Sequence, residues 1–469
     1  MLTCLILDLV TGMMSSLLLI LIVCSILLNL VNRKNNEQKA ICSIDNCDPM
    51  YVSVIVPFRN DDIDQLRKFL ESILKLDWPK DLVEVLIVDD SDAEVYLKVR
   101  KLVREFENSL KIKLLHRTRP TGYKAGALMY ALKHAEGDVI AIFDVDTHPR
   151  PDFLKKLCIY LRSGFDYAQA LTKFRSIINT ISSRIILTQE EWFNRIVLRC
   201  YRRAFMIRGH SFIIWRHVLD SVGSLDVPHA RLTEDVELTV RLKLGGFRGV
   251  IVNEFLTTGL SAPTYGAYLL QRARWVVGGL IVLSRNLLKL LKSQKLELSE
   301  KVEFLHNYVS RLCALMLFPL CTMSLTYYVF STVPGTLLYI VMIVLYCVSL
   351  IYLFLLCTGG NLRFSIKDLP NAILSALLWA STSLFLIVYA VISRRWYVTP
   401  KSPESAKGKS LIVGLAYAVS TLCISSLATY ASLMVAFPLL PLSMYLLMSS
   451  ILGLVLAIDD LVALRNVRS

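Results

Sequence analysis

Two kinds of apolar patterning divide the chain. Between 51 and 260 apolar residues come in short runs separated by polar helical patterns, whereas at 11–31 and beyond about 306 they form stretches long enough to cross a bilayer. The run from Tyr51 to Val56 is β-rich and ends at Pro57. A helical pattern follows over 62–76, and Val83 to Val88 forms a second predicted strand ending in Asp89-Asp90. Further strands are expected at 111–116 and 138–143, with helical patterns at 93–107 and 124–135 between them. This alternation predicts βαβ units and a mostly parallel, Rossmann-like sheet covered on both faces. Ligands of such sheets sit off the carboxyl ends of the strands. After 150 the pattern loosens, with strands near 207–214 and 248–253 and helices near 184–204 and 233–244, the last stopped by Gly245-Gly246.

A helix needs about 20 apolar residues to cross the hydrocarbon core. Residues 11–31, about 307–330, 335–357, 411–433 and 437–458 meet that length. The first is too long for a signal peptide's apolar core and lacks a small-x-small cleavage site. Arg33-Lys34 behind it place the polar domain in the cytoplasm. Residues 371–393 are long enough as well, but Ser375, Ser381, Thr382 and Ser383 give them the polar stripe of an interfacial or re-entrant helix. That parity keeps the basic segment 394–410 and the tail with Arg465 and Arg468 on the cytoplasmic side. The expected organisation is a transmembrane helix and linker (1–48), an α/β domain (49–260), interfacial amphipathic helices (261–305) and an α-helical transmembrane domain (306–469), as in a multi-pass cell-membrane protein.

Composition sharpens this division. Of 469 residues 54% are hydrophobic and 19% charged, below the roughly 25% charge of soluble domains. The last 164 residues hold ten Lys or Arg and four Asp or Glu, so most of the 52 basic and 38 acidic residues belong to the polar domain. An ordinary soluble enzyme and a disordered chain are both excluded. The net charge of +14 fits an anionic membrane face or a phosphorylated substrate; no nucleic-acid module is recognisable. The 11 cysteines are an odd number, several within apolar runs, and the polar pair Cys42 and Cys47 lacks partners for a zinc site, so free thiols are expected.

The residues that could carry chemistry stand at the ends of predicted elements. Asp144 and Asp146 lie two apart at a strand end, so both point to one side, where a hard divalent cation bridging a diphosphate would relieve their repulsion. A solvated turn explains the same pair. Thr233-Glu234-Asp235 opens a helix, either as plain N-terminal acids or as a general base held toward an incoming hydroxyl. Gln271, Arg274 and Trp275 share one helix face, suited either to anchoring at a bilayer or to a sugar and a phosphate. The small-residue turn Thr121 to Ala127 starts a helix beside the strand ends and carries one cation, Lys124. Trp396 to Lys401 is a short basic loop between apolar segments.

Each motif is weak alone, but their order is specific. Asp-Asp after the second strand, Lys-Ala-Gly-Ala-Leu, Asp-x-Asp, Thr-Glu-Asp, Gln-x-x-Arg-Trp and Trp-x-Val-Thr-x-Lys together resemble the family 2 glycosyltransferases, over roughly 50 to 410. Within them the chain resembles the membrane-integrated processive branch of cellulose, chitin and hyaluronan synthases. The resemblance implies a GT-A fold and an inverting transfer from a nucleotide diphosphate sugar, with UDP the expected nucleotide. It also implies a divalent metal, Mg or Mn, a glycan or lipid acceptor, and product extrusion. By position, Asp89 or Asp90 would contact the base, Asp144 the diphosphate, and Asp146 the metal. Asp235 would be the general base, with Glu234, Gln271, Arg274 and Trp275 at the acceptor and diphosphate site. Lys124 would assist the diphosphate, and Thr399 and Lys401 would contact the nucleotide from a gating-like loop. The chain departs from the synthases where their acceptor-side Phe-Phe-Cys-Gly-Ser reads Met206-Ile207-Arg208-Gly209-His210-Ser211, and at Trp396 and Ser402. The alternative within the chemistry is a single transfer to a lipid; outside it, a transporter or binding protein that has lost catalysis.

Overall fold

The computed structural model describes residues 48–200, 206–223, 225–312, 374, 377–378, 381–390, 399–400, 402–434 and 440–466. The predicted spans 11–31 and 335–357, and most of 307–330, lie outside these residues, as do Cys42, Cys47, Trp396 and Lys401.

The apolar runs become the centre of an eight-stranded sheet. Strand β1 (Val52–Phe58) pairs in parallel with β2 (Val83–Asp89) and β4 (Val139–Ile142), and β3 (Lys111–His116) continues the parallel set beyond β2. These central strands are apolar on both faces because helices cover both. Val54, Val56, Val85 and Val139 pack on one side with α1 (Ile63–Leu74), α2 (Ala93–Arg104) and α4 (Phe153–Arg162). Ile55, Leu86, Val88 and Ile140 pack on the other with α3 (Tyr123–Leu132), α6 (Arg216–Ser221) and α7 (Glu234–Gly245). Burying each such side chain stabilises the fold by about 1.5–3 kcal/mol.

The parallel run then breaks. Strand β7 (Phe212–Trp215) lies antiparallel between β4 and β6 (Tyr167–Arg175), β6 pairs in parallel with β8 (Gly249–Leu260), and β5 (His148–Pro149) closes the edge antiparallel to β8. The order β3-β2-β1-β4-β7-β6-β8-β5 is therefore mostly parallel with one inserted reversal. Strand β6 and helix α4 have no counterpart among the predicted elements. In β6 the buried positions include Gln169 and Thr172, so polar residues mask an interior strand.

Beyond the sheet, α8 (Tyr265–Lys292) starts at Thr264, whose hydroxyl accepts from the Ala267 N–H at 3.2 Å. Short helical turns α9 (Ser383–Val388) and α10 (Pro403–Ala406) precede the hairpin of α11 (Lys409–Met434) and α12 (Leu440–Asn466). Within the hairpin, Lys409–Tyr430 and Leu446–Arg465 are long and apolar enough to cross a membrane, and Ile412, Leu427, Tyr430, Met448 and Val462 are exposed along it. These two stretches overlap the predicted spans 411–433 and 437–458, the second shifted toward the end of the chain. Both ends of the hairpin meet the α/β domain. A Cβ on Gly266 would stand 1.6 Å from the Ser410 carbonyl oxygen, so only glycine lets α8 and α11 cross this closely. At the far end Asp460 accepts from the Tyr265 N–H at 2.7 Å, and Asp459 accepts from Ile181 N–H at 2.6 Å, capping α8 and α5 (Ile181–Cys200). Within the predicted interfacial segment 371–393, Leu386 and Tyr389 pack on Ala273, Val276 and Val277 of α8.

Candidate active site

At the carboxyl ends of β1, β2 and β4 opens a cleft of about 200 Å³. Four structural pieces supply its walls. The sheet contributes Asp90, Asp144 and Asp146; the start of α3 contributes Tyr123 and Lys124; the start of α7 contributes Glu234 and Asp235; and one face of α8 contributes Gln271, Arg274 and Trp275. Helical spacing puts that last trio together. The adjacent Arg272 points away into the protein, where it donates to Glu190 at 2.9 Å and Gln189 at 3.3 Å.

Lys124 is the hub. Its ammonium donates to Asp144 at 2.6 Å and to the Gly209 carbonyl at 2.8 Å, and lies 3.8 Å from Glu234. Burial disfavours that charge, but Asp144, Glu234 and Asp235 outweigh burial and hold the lysine above its usual pKa. Gly209 has φ +77°, and a Cβ there would sit 3.4 Å from both the Lys124 ammonium and an Asp235 oxygen, so a side chain would crowd the two charges. The pair on α7 is tuned the other way. Burial pushes Glu234 up to about 7, against the pull of Lys124, and raises Asp235 above the usual aspartate range. One Asp235 oxygen accepts from the Val236 N–H at 2.9 Å. Burial also drives His210 down to about 4, leaving it neutral at physiological pH.

The tandem aspartates after β2 separate, because neighbouring residues of a strand face opposite ways. Asp90 lines the cleft and accepts both nitrogens of the Arg117 fork, at 2.6 and 2.5 Å. Asp89 does not line it: fully buried, it holds His116 at 2.8 Å and the Ser91 N–H at 3.3 Å. Of the two placed alternatively at the base, only Asp90 is available to a ligand. Thr399 reaches the cleft, where its hydroxyl accepts from Gln271 at 3.3 Å. Lys401 lies outside the described residues.

Asp144 and Asp146 offer two hard carboxylate donors on one wall. Among the described residues no three His, Cys, Asp or Glu side chains converge to hold an ion. The donor set fits Mg²⁺ or Mn²⁺ as part of a shell completed by phosphate oxygens and water, which is how such ions bind phosphorylated substrates.

Several supporting residues escaped the sequence reading. Gln169 of β6 donates to the carbonyls of His210 and Ser211 at 2.9 and 3.1 Å and accepts from Arg208 N–H at 3.2 Å, fixing the loop behind the cleft. Arg311, from the helical run 298–312, donates to the Trp275 carbonyl at 2.6 Å and to Asn307 at 2.7 Å. Gly278 and Gly279 make both approaches possible: a Cβ would lie 2.7 Å from Thr233 Cγ2 at the first and 2.5 Å from Arg311 at the second. Two adjacent glycines inside a helix, at about 1 kcal/mol each, are the sequence signal of that crowding.

Residues 49–278 match the family model described as glycosyltransferase like family 2. Over 284 residues the chain is 26% identical to a probable glucomannan 4-beta-mannosyltransferase 9 of Oryza sativa subsp. japonica, covering 58% of this chain and 53% of that relative. It thus spans about half the length of the plant proteins it matches. A probable glycosyltransferase of Sulfolobus acidocaldarius is 23% identical over 399 residues, covering 79% of this chain and 83% of that one. Among solved structures, a mannosyltransferase from Pyrobaculum calidifontis in complex with GDP-Man and Mn²⁺ shares 18% identity, with a TM-score of 0.54 over 81% of this chain and 99% of that one. The likeness is one of fold, a GT-A-like α/β architecture.

Proposed function

We propose, on the match of residues 49–278 to the family model described as glycosyltransferase like family 2, that the protein is a glycosyltransferase of that family and transfers a hexose, with inversion, from a nucleotide diphosphate sugar to an acceptor hydroxyl at the cytoplasmic face of a membrane. The observation that carries this reading is the meeting of four separate pieces of chain in one cleft: the strand-end carboxylates, the α3 start with Lys124, the α7 carboxylates, and the Gln271, Arg274 and Trp275 face.

Asp235 takes the proton of the acceptor hydroxyl as that oxygen attacks the anomeric carbon. The bond from that carbon to the diphosphate breaks, and the nucleotide diphosphate leaves with its electron pair. Lys124 and Arg274 face the charge that develops there. A divalent ion held by Asp146 and Asp144 would supply further charge neutralisation when bound. Burial raises Asp235 above the usual aspartate range, so the base sits where a proton is readily accepted. Asp90 and Thr399, and Lys401 beyond the described residues, serve the nucleotide; Trp275 and Gln271 serve the acceptor.

The apolar hairpin α11–α12 is the membrane-spanning part of this reading. Its two ends are tied to the α/β domain, so α11 leaves and α12 returns on the domain's side. The arrival of Thr399 in the cleft supports a gated, processive synthase that extrudes a polysaccharide. The start of α8 against the hairpin supports the second reading, a single transfer to a lipid acceptor. UDP-sugars are the expected donors, and the similarity to mannosyltransferases, one of them in complex with GDP-Man, makes GDP-mannose the other to try. Purified protein in lipid, given labelled UDP- and GDP-sugars with Mg²⁺ or Mn²⁺, should yield labelled product whose size separates the two. Asp235→Asn should abolish transfer while donor binding survives; undiminished turnover would remove Asp235 as the base.

A further inference from the structure

Arg208 lines the cleft but has no place in the chemistry above. Its backbone is fixed by Gln169, and the next residue, Gly209, abuts both Lys124 and Asp235. Arg208 is thus one residue along the chain from the contact with the proposed base, and its side chain runs to α5. One edge is engaged: Nη1 donates to Asn194, and the plane lies 5.4 Å over the Phe193 ring. The other edge, Nη2, is buried without a hydrogen-bond partner. Among the described residues Arg208 makes no salt bridge. The carboxylate felt there is Glu190, already bound to Arg272 at 2.9 Å, so two guanidiniums share one carboxylate and a positive charge is left over. Burial even pushes Arg208 down to about 10, the mark of a cation short of solvation and counter-charge. A half-used, desolvated guanidinium is a place for an oxyanion, which guanidinium binds with directed, charge-assisted hydrogen bonds. Asn194 and Phe193 belong to α5, the helix whose first N–H is capped by Asp459 of the apolar hairpin, so the subsite is built on a helix that also touches the hairpin.

We propose that Arg208 is the cation of an acceptor subsite that binds a phosphomonoester, carried either on a lipid or on a soluble sugar. That the site takes an acceptor rests on the sugar-transfer reading; the anion site stands on the cleft itself.

The test is calorimetric binding to the full-length protein in neutral detergent. Dodecyl phosphate should bind at least tenfold more tightly than dodecyl β-glucoside, and 0.5 M NaCl should erase most of that preference. Arg208→Met should abolish the preference and Arg208→Lys should keep part of it. Competition by mannose 6-phosphate would identify a soluble phosphate source, and its failure a lipid one. Equal binding of the two dodecyl probes by the wild type overturns the proposal, whether or not Arg208→Met folds. So does a preference that persists in Arg208→Met, or a parallel tenfold loss of UDP and GDP affinity, which would put the guanidinium on the donor side. A phosphate preference in a protein that transfers no sugar from any donor would instead refute the transfer reading and leave the subsite standing.

Discussion

Glu84 and Glu234 are both buried glutamates of the same domain, and they titrate in opposite directions. At Glu84, near the amino ends of the strands, burial is the largest influence, yet Ser53 Oγ at 2.6 Å, the Glu136 N–H at 2.6 Å and the Lys113 ammonium at 2.9 Å overcome it and hold the pKa below the usual value. At Glu234 the nearest cation is 3.8 Å away and burial prevails. Burial alone therefore does not distinguish a structural carboxylate from a reactive one; the number of donors reaching it does. One end of the sheet spends its buried charge on holding β1, β2 and the Glu136 turn together, and the other keeps two carboxylates short of partners beside a cleft.

The largest effect is expected at Asp235. Asp235→Asn should lower transfer by about 10²–10⁴-fold, the range of a lost general base, with little change in melting temperature. Comparable activity in the variant would mean that under-satisfaction here is incidental. Glu84→Ala should do the reverse: about 2–3 kcal/mol less stability in urea unfolding, from orphaned buried donors, and unchanged turnover per folded molecule.

The pH dependences should also oppose one another. Glu84 titrates lower folded than unfolded, so its stabilisation is present above its ordinary value of 4.5 and lost as pH falls through the depressed one. Glu234 titrates higher, so its contribution is full below 4.5 and lost as pH rises through about 7. Between those values the wild type should lose stability relative to Glu234→Gln. In kcat/KM profiles Lys124→Met should move the acid limb to higher pH, since Lys124 lowers both α7 carboxylates. A limb that stays put would place the titrating group elsewhere. The smallest effect is expected from Thr399→Val, which removes the hydroxyl facing Gln271; about 1 kcal/mol, or fivefold in kcat/KM, is the scale of one such bond.

Much of this was legible in the sequence because the chemistry sits where elements end. Asp144, Asp146, Lys124, Glu234 and Asp235 flank clear strands or helices, and one helix face carries Gln271, Arg274 and Trp275. The central strands announced themselves as apolar runs. Strand β6 did not, because its Gln169 and Thr172 are buried for hydrogen bonding and read as surface. Nor did the sequence separate Asp89 from Asp90, since the side chain that turns inward depends on where the pleat of β2 ends. The contacts of Arg311 with Trp275 and of Thr399 with Gln271 join positions far apart along the chain, and only folding brings them together.

The fastening of α8 at its first residue has a mechanical consequence. Tyr265 is held by Asp460 of the apolar hairpin, and Trp275 stands ten residues further along the same helix, about 15 Å at a helical rise. One continuous helix thus joins the hairpin to the indole, and its packing on neighbouring elements along the way holds that spacing. A tilt of about 5° at the hairpin end swings the indole by about 1 Å, a misplacement on the scale that costs reactions about 10²-fold. On the proposed reading, in which the hairpin spans a bilayer, turnover should respond to bilayer thickness, measurable in vesicles of graded acyl-chain length.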